Sequence, residues 1–129
     1  MGKKRVKEAL EAILTDLGAS VSLIEEYFHP DYVQKVDGKT LDFEGFVAHM
    51  HSLRSKVDRL KLTFEKLFEE GENVCSVHIV DVAKKDGSNA RMKVIAHFKL
   101  SGGKIIYCDE LTFLIAGEAQ DAQLGSCFS

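Results

Sequence analysis

The stretch Leu60-Lys61-Leu62-Thr63-Phe64-Glu65 is where this chain changes its period. Upstream, apolar residues recur every three or four positions, the spacing of one helical face. From Leu60 they alternate one by one with polar residues, the spacing of a strand with one buried face. Three segments follow in the same pattern: Val74–Ala83, Met92–Leu100 and Lys104–Ile115. Between them stand Glu70-Gly71-Glu72-Asn73, Lys85-Asp86-Gly87-Ser88 and Ser101-Gly102-Gly103, each a short turn signal. The pattern predicts four consecutive antiparallel strands joined as hairpins.

Upstream of Leu60, the residues Phe43, Phe46, Val47, Met50, Leu53 and Val57 share one helical face. Their helix starts near Thr40 or Asp42, and the acids Asp42 and Glu44 suit its positive end. Before it, residues 31–39 read as a short extended piece closing in an Asp37-Gly38 turn. Pro30, the one proline, ends a second helix whose stripe is Val21, Ile24 and Phe28. Ser20 or Ser22 caps that helix, and Ser22 with Glu25 has capping-box form. A first helix carries Val6, Ala9, Leu10, Ile13 and Leu17 on one side, with Gly18 as its stop. Three N-terminal helices and a curved antiparallel sheet make a two-layer α+β domain. Helices laid across a strongly curved sheet leave a cone with an interior, where a small molecule would sit.

The bulk numbers agree with one domain over residues 1–129, its core about residues 4–116 and its tail from Gly117 to Ser129 small and polar. Hydrophobic content is 45% and charged content 29%, ordinary for a globular protein. A net charge of −3 and a pI near 5.9 argue against nucleic acid as a partner. Lys3, Lys4, Arg5 and Lys7 form the one basic run, read as the solvated start of a helix. Glu8 and Glu11 interrupt the apolar residues after it, so it does not open a signal peptide, and no apolar run is long enough to span a membrane. Cys75, Cys108 and Cys127 are odd in number and lack CxxC spacing, which reads as free thiols in a reducing compartment, the cytoplasm.

The last strand holds the most informative chemistry. Asp109 and Glu110 are adjacent, so one of them points inward. A buried carboxylate is costly unless it is paired, hydrogen-bonded or protonated. The even positions, Cys108-Glu110-Thr112, have the smaller and more polar centre and suit a ligand-lined wall. The odd positions, with Tyr107 and Phe113, suit packing against something large, such as a second subunit. Glu110 is therefore the pocket candidate, with Thr112 beside it, and Asp109 the outer residue; a structural carboxylate bonded to a neighbouring strand is the plainer alternative. His78 shares a strand face with Val74, Ser76, Val80 and Val82, where it could pair with Glu110 as an acid/base unit; its plainer reading is a half-exposed strand histidine. His49 and His51 form an HxH, but on a helix they diverge by about 160°. They are no chelate, and His49 stays as a candidate pocket residue at the edge of the apolar stripe. No metal motif, phosphate loop or nucleophile elbow occurs, so no metal or other cofactor is expected.

Residues 28–39, the helix segment Asp42-Phe43-Glu44-Gly45-Phe46-Val47-Ala48-His49-Met50, and Gly103-Lys104-Ile105-Ile106 followed by Asp109-Glu110-Leu111-Thr112 resemble the SnoaL-like branch of the nuclear transport factor 2-like superfamily. The resemblance covers about Ala9 to Ser126. It implies a cone-shaped, cystatin-like α+β barrel, commonly a homodimer, with a pocket inside the cone. The superfamily includes ketosteroid isomerases, polyketide cyclases and dehydratases beside transport adaptors. In the isomerase relatives, a carboxylate near the short strand serves as base and a tyrosine as hydrogen-bond donor. That adds Tyr32 and Asp37 to the ligand-binding candidates, although no motif matches them to those roles and Asp37-Gly38 reads plainly as a turn. Three functions follow: an isomerase, cyclase or dehydratase using Glu110 as base on a small apolar ligand, with His78, His49 or Tyr32 as partner; a non-catalytic module binding such a ligand; and a dimeric interaction protein using the outer face of its sheet. One fold hosts many functions, so the resemblance alone does not choose.

Overall fold

The computed structural model describes residues 2–15 and 20–117. The expected helix stop at Leu17-Gly18, and the polar tail beyond Gly117 with Cys127, lie outside those residues. In chain order the elements are α1 (Gly2–Leu10), a π-helical turn (Glu11–Thr15), α2 (Val21–Tyr27), β1 (Phe28–Val36), β2 (Lys39–Asp42), α3 (Phe43–Lys56), β3 (Val57–Glu70), β4 (Asn73–Lys84), β5 (Asn89–Ser101) and β6 (Lys104–Ala116). The six strands form one unclosed sheet in the order β2-β1-β6-β5-β4-β3.

The predicted meander is present: β3, β4, β5 and β6 pair antiparallel in sequence order. β5 shows the cause most clearly, since its alternate residues Ala90, Met92, Val94, Ala96, Phe98 and Leu100 are all buried. Register shifts put extra residues into β3 at Asp58 and Glu65 and into β6 at Ile106 and Ile115. An extra residue on one strand bends it and adds twist, which curves the sheet. At the Gly102-Gly103 turn both φ angles are positive (58° and 81°), a conformation that glycine adopts without a Cβ clash.

Two features depart from the sequence reading. Residues 39–42 form a strand, β2, which pairs with β1 from Val33 to Val36. Its four residues carry no apolar alternation, so periodicity could not reveal it; the Asp37-Gly38 turn, with φ of 51° and 86°, makes it. Pro30 lies inside β1 and not at a helix end, because α2 already stops at Tyr27. It sits where β1 has no β2 partner and where the β1–β6 register shifts, so its missing N–H breaks no regular ladder. β1 runs parallel to β6, with Val36 opposite Glu110.

The helices lie over the concave face. Asp42 caps α3, its Oδ1 accepting from Gly45 N at 2.9 Å. Phe46, Met50 and Leu53 form the buried stripe of α3, while Arg54 and Lys56 complement the negative end of its dipole. Phe46 packs against Phe28 and Tyr32, with ring centroids 4.8–5.0 Å apart, and α1 adds Val6, Ala9 and Leu10. Ser20 caps α2 by accepting from Leu23 N. Arg5 is more than a solvated charge. Its guanidinium donates to Glu26 O at the end of α2 (2.7 Å) and to Gly103 O in the β5–β6 turn (2.9 Å), and stacks over Tyr27. It clasps α1 to the carbonyl end of α2, where positive charge is favoured.

Candidate functional site

The site is the polar part of the concave face. β6 turns Cys108 and Glu110 inward and leaves Asp109 exposed. Glu110 is 2% exposed, and Ser76 and His78 on β4 are 0% and 1%. Antiparallel register places Ala96 of β5 between Ser76 and Glu110, and Val94 between His78 and Thr112. β1 completes the wall, with Gln34 opposite Cys108 and Val36 opposite Glu110.

Two groups of polar contacts stand on this face. In the first, Tyr32 Oη donates to Gln34 Oε1 (3.0 Å) and the Cys108 thiol donates to Glu110 Oε1 (3.4 Å). Burial, with the neighbouring Cys108 and Glu110 groups adding to it, holds the Tyr32 phenol well above its ordinary pKa. Burial and the nearby Glu110 raise Cys108 in the same way. Both therefore keep their protons at neutral pH. In the second group, Ser76 Oγ and His78 Nδ1 are 2.8 Å apart, and the imidazole lies 5.5 Å from the Phe64 ring, centroid to centroid. Burial lowers the His78 pKa from 6.5 to about 4, so the ring is neutral at pH 7. An apolar, water-poor wall thus carries a carboxylate, a phenol and a neutral imidazole, the groups that proton transfer uses.

The remaining candidates fall elsewhere. Asp37 accepts from Thr112 N (2.8 Å) and from Thr112 Oγ1, so both of its oxygens are engaged in latching the β1–β2 turn to β6 at the exposed rim. His49 is half-buried on α3, in the helix layer, and His51 is exposed. Among the described residues no group of three His, Cys, Asp or Glu side chains could hold a metal. Sequence reasoning missed Gln34, although Tyr32, Gln34 and Val36 alternate along one strand face. It named Ser76 only as a neighbour of His78, although residues two apart on a strand point the same way.

On the opposite face the sheet is apolar and exposed. Ile95, Leu111 and Phe113 are 56%, 65% and 69% exposed, and Phe68 lies near them. Val77, Ile95 and Leu111 stand in one row across three strands.

Comparison with known proteins agrees with this architecture. The uncharacterised protein C11D3.04c of Schizosaccharomyces pombe is 34% identical over 112 residues, 87% of this chain and 86% of that one. IdmH of Streptomyces antibioticus, a candidate polyketide cyclase, superposes with a TM-score of 0.74 at 13% identity, covering 87% of this chain and 91% of its own. A nuclear transport factor 2-like protein of unknown function from Burkholderia pseudomallei superposes with a TM-score of 0.71 at 15% identity, covering 98% and 99%. At such identities the structural likeness speaks for the fold. No described helix is long and apolar enough to cross a membrane. The family profile of the SnoaL-like domain matches residues 6–108, most of the chain, and the protein belongs to that family, on the fold of the nuclear transport factor 2-like superfamily.

Proposed function

We propose that this protein binds a small, mostly apolar molecule carrying a carbonyl group between its helices and its sheet, and moves a proton on that molecule as an isomerase, cyclase or dehydratase does. Glu110 is the base. Its carboxylate takes a proton from the carbon beside the carbonyl, the C–H electron pair passes into the enolate, and the proton returns at another atom. His78 and Tyr32 are the partner groups. The observation that carries this reading is a carboxylate and an imidazole buried on one concave face, with a small Ala96 between Glu110 and the strand of His78. IdmH, as a candidate polyketide cyclase on the same fold, supports the class of reaction. The free thiols of Cys75 and Cys108 support a reducing, cytoplasmic setting.

The test is proton exchange at the α-carbon of 2-tetralone in deuterated water, followed by NMR. The wild-type protein should accelerate the exchange, and Glu110→Gln should slow it by about 100-fold or more, the usual range for a positioned general base. Unchanged exchange in Glu110→Gln, with the variant folded, removes Glu110 from this role. The outer-face row of half-buried Val77 and exposed Ile95 and Leu111 supports a second reading that is compatible with the first: the outer face pairs with a second copy of the chain as a homodimer. Sedimentation showing only monomer at micromolar concentration would count against it.

A further inference from the structure

Ser76 and His78 satisfy one another only in part. The hydroxyl and Nδ1 are 2.8 Å apart and both residues are buried, while His78 Nε2 is buried with no hydrogen-bond partner among the described residues. Two arrangements of the protons are possible. If Nδ1–H donates to the serine, the serine hydroxyl proton and the bare Nε2 lone pair are both left without partners. If the serine hydroxyl donates to Nδ1, its proton is used, Nε2 carries the ring hydrogen, and that N–H is the one unsatisfied donor. A buried donor or acceptor left unmade carries its full desolvation penalty, so the arrangement with fewer orphans is the stable one. The aromatic face of Phe64 beside the imidazole supplies no strong acceptor.

We infer that Ser76 locks His78 in the Nε2–H tautomer and that this N–H is a binding subsite for an oxygen acceptor on an otherwise apolar ligand, the oxygen of a ketone or related carbonyl. The inference deepens the function proposed above and rests on its pocket. It is independent of whether Glu110 moves a proton. Ser76 is a positioning residue and His78 the group that touches the ligand. The neutrality of the buried ring at pH 7 is consistent with this: it donates one hydrogen bond without bringing a charge into the interior. Antiparallel strands lie about 4.8 Å apart, so Glu110, two strands from Ser76, stands roughly 10 Å away across the sheet. A ligand of one or two rings lies across that gap with its oxygen at His78. The subsite selects against molecules that are purely hydrocarbon, because they leave the N–H unmade, and against groups that present only a donor.

The experiment has two arms. Long-range proton–nitrogen NMR of the His78 ring in the ligand-free protein should show a protonated Nε2 and a bare Nδ1 from pH 8 down to about pH 5. Ser76→Ala should shift the ring toward the other tautomer or a mixture, and Ser76→Thr, which keeps the hydroxyl, should restore it. In the second arm, 2-tetralone should bind about tenfold tighter than tetralin, its hydrocarbon counterpart, the worth of one buried hydrogen bond. That preference should vanish in Ser76→Ala and return in Ser76→Thr, with tetralin affinity unchanged. A ring protonated at Nδ1, or no preference for the ketone, overturns the inference. If both arms succeed while α-proton exchange is absent, the subsite stands and the catalytic reading falls. If Glu110→Gln abolishes exchange but the ring is the wrong tautomer, the catalytic reading stands and the subsite falls.

Discussion

The two faces of β6 invert the usual arrangement of a sheet with one buried side. Its covered face holds Glu110 beside Cys108, and two strands away on the same wall lie Ser76 and His78, all at most 2% exposed. Its uncovered face presents Leu111 and Phe113, each more than half exposed. An antiparallel sheet normally hides its apolar side and solvates its polar one. The departure carries a cost on both faces: buried polar groups need partners, and exposed apolar area gains by association. The inner polarity is therefore read as a site for a molecule and the outer apolarity as a site for a protein. Each reading can be broken separately.

The strongest test of the inner face is to open its apolar roof. Phe46 from α3 closes over Phe28 and Tyr32 with no exposure. Phe46→Ala should cost about 3–5 kcal/mol, the transfer loss plus the cavity left behind. Urea unfolding monitored by circular dichroism would measure it. A cost below about 1 kcal/mol would mean that the helices do not seal the concave face, and the contrast between the faces would lose its basis.

Titration of His78 gives the next largest effect. Its pKa falls from 6.5 to about 4 on folding, through burial. A group with a lowered folded pKa contributes fully above its unfolded pKa, and the contribution is lost as pH falls toward the folded value. The window is pH 6.5 to 4, and the full loss is about 3 kcal/mol. Between pH 7 and pH 4, wild-type protein should lose about 3 kcal/mol more than His78→Gln, the difference cancelling the carboxylates common to both. Parallel stability curves for the two proteins would show that the imidazole is hydrated in the native state and not part of a dry wall.

Much of this contrast is legible in the amino-acid sequence. The change of period at Leu60 and the three turn signals locate β3 to β6, because side-chain alternation and turn chemistry are local properties. The inward turn of Glu110 follows from comparing Cys108-Glu110-Thr112 with Tyr107-Asp109-Leu111, a choice that alternation reduces to two outcomes. What is not legible depends on distant pairing. Tyr32 comes within electrostatic reach of Glu110 because β1 lies parallel to β6, and that pairing waits on α3 and the whole meander between them. β2 is four mostly exposed residues defined only by its partner. The Asp37–Thr112 latch joins a turn to a strand remote in sequence. The Ser76–His78 bond is different: spacing puts both residues on one face, but only the folded strand brings their polar atoms to 2.8 Å.

The smallest effect on the chain's own stability belongs to the outer face, and it separates the two faces most sharply. Leu111 is 65% exposed and stands in a row with Val77 and Ile95. In a lone chain Leu111→Lys removes little buried area, so its unfolding free energy at high dilution should stay within about 0.5 kcal/mol of wild type. In a two-fold pair the same patch meets itself, and the substitution sets like charges into an apolar contact. Sedimentation velocity should then show wild type as a dimer and Leu111→Lys as a monomer, while tetralone binding inside the cone is kept. If Leu111→Lys instead destabilises the dilute monomer by more than about 2 kcal/mol, that residue is packed within its own chain. The sheet would then be covered on both sides, and exposure at Leu111 could no longer stand as the counterpart of burial at Glu110.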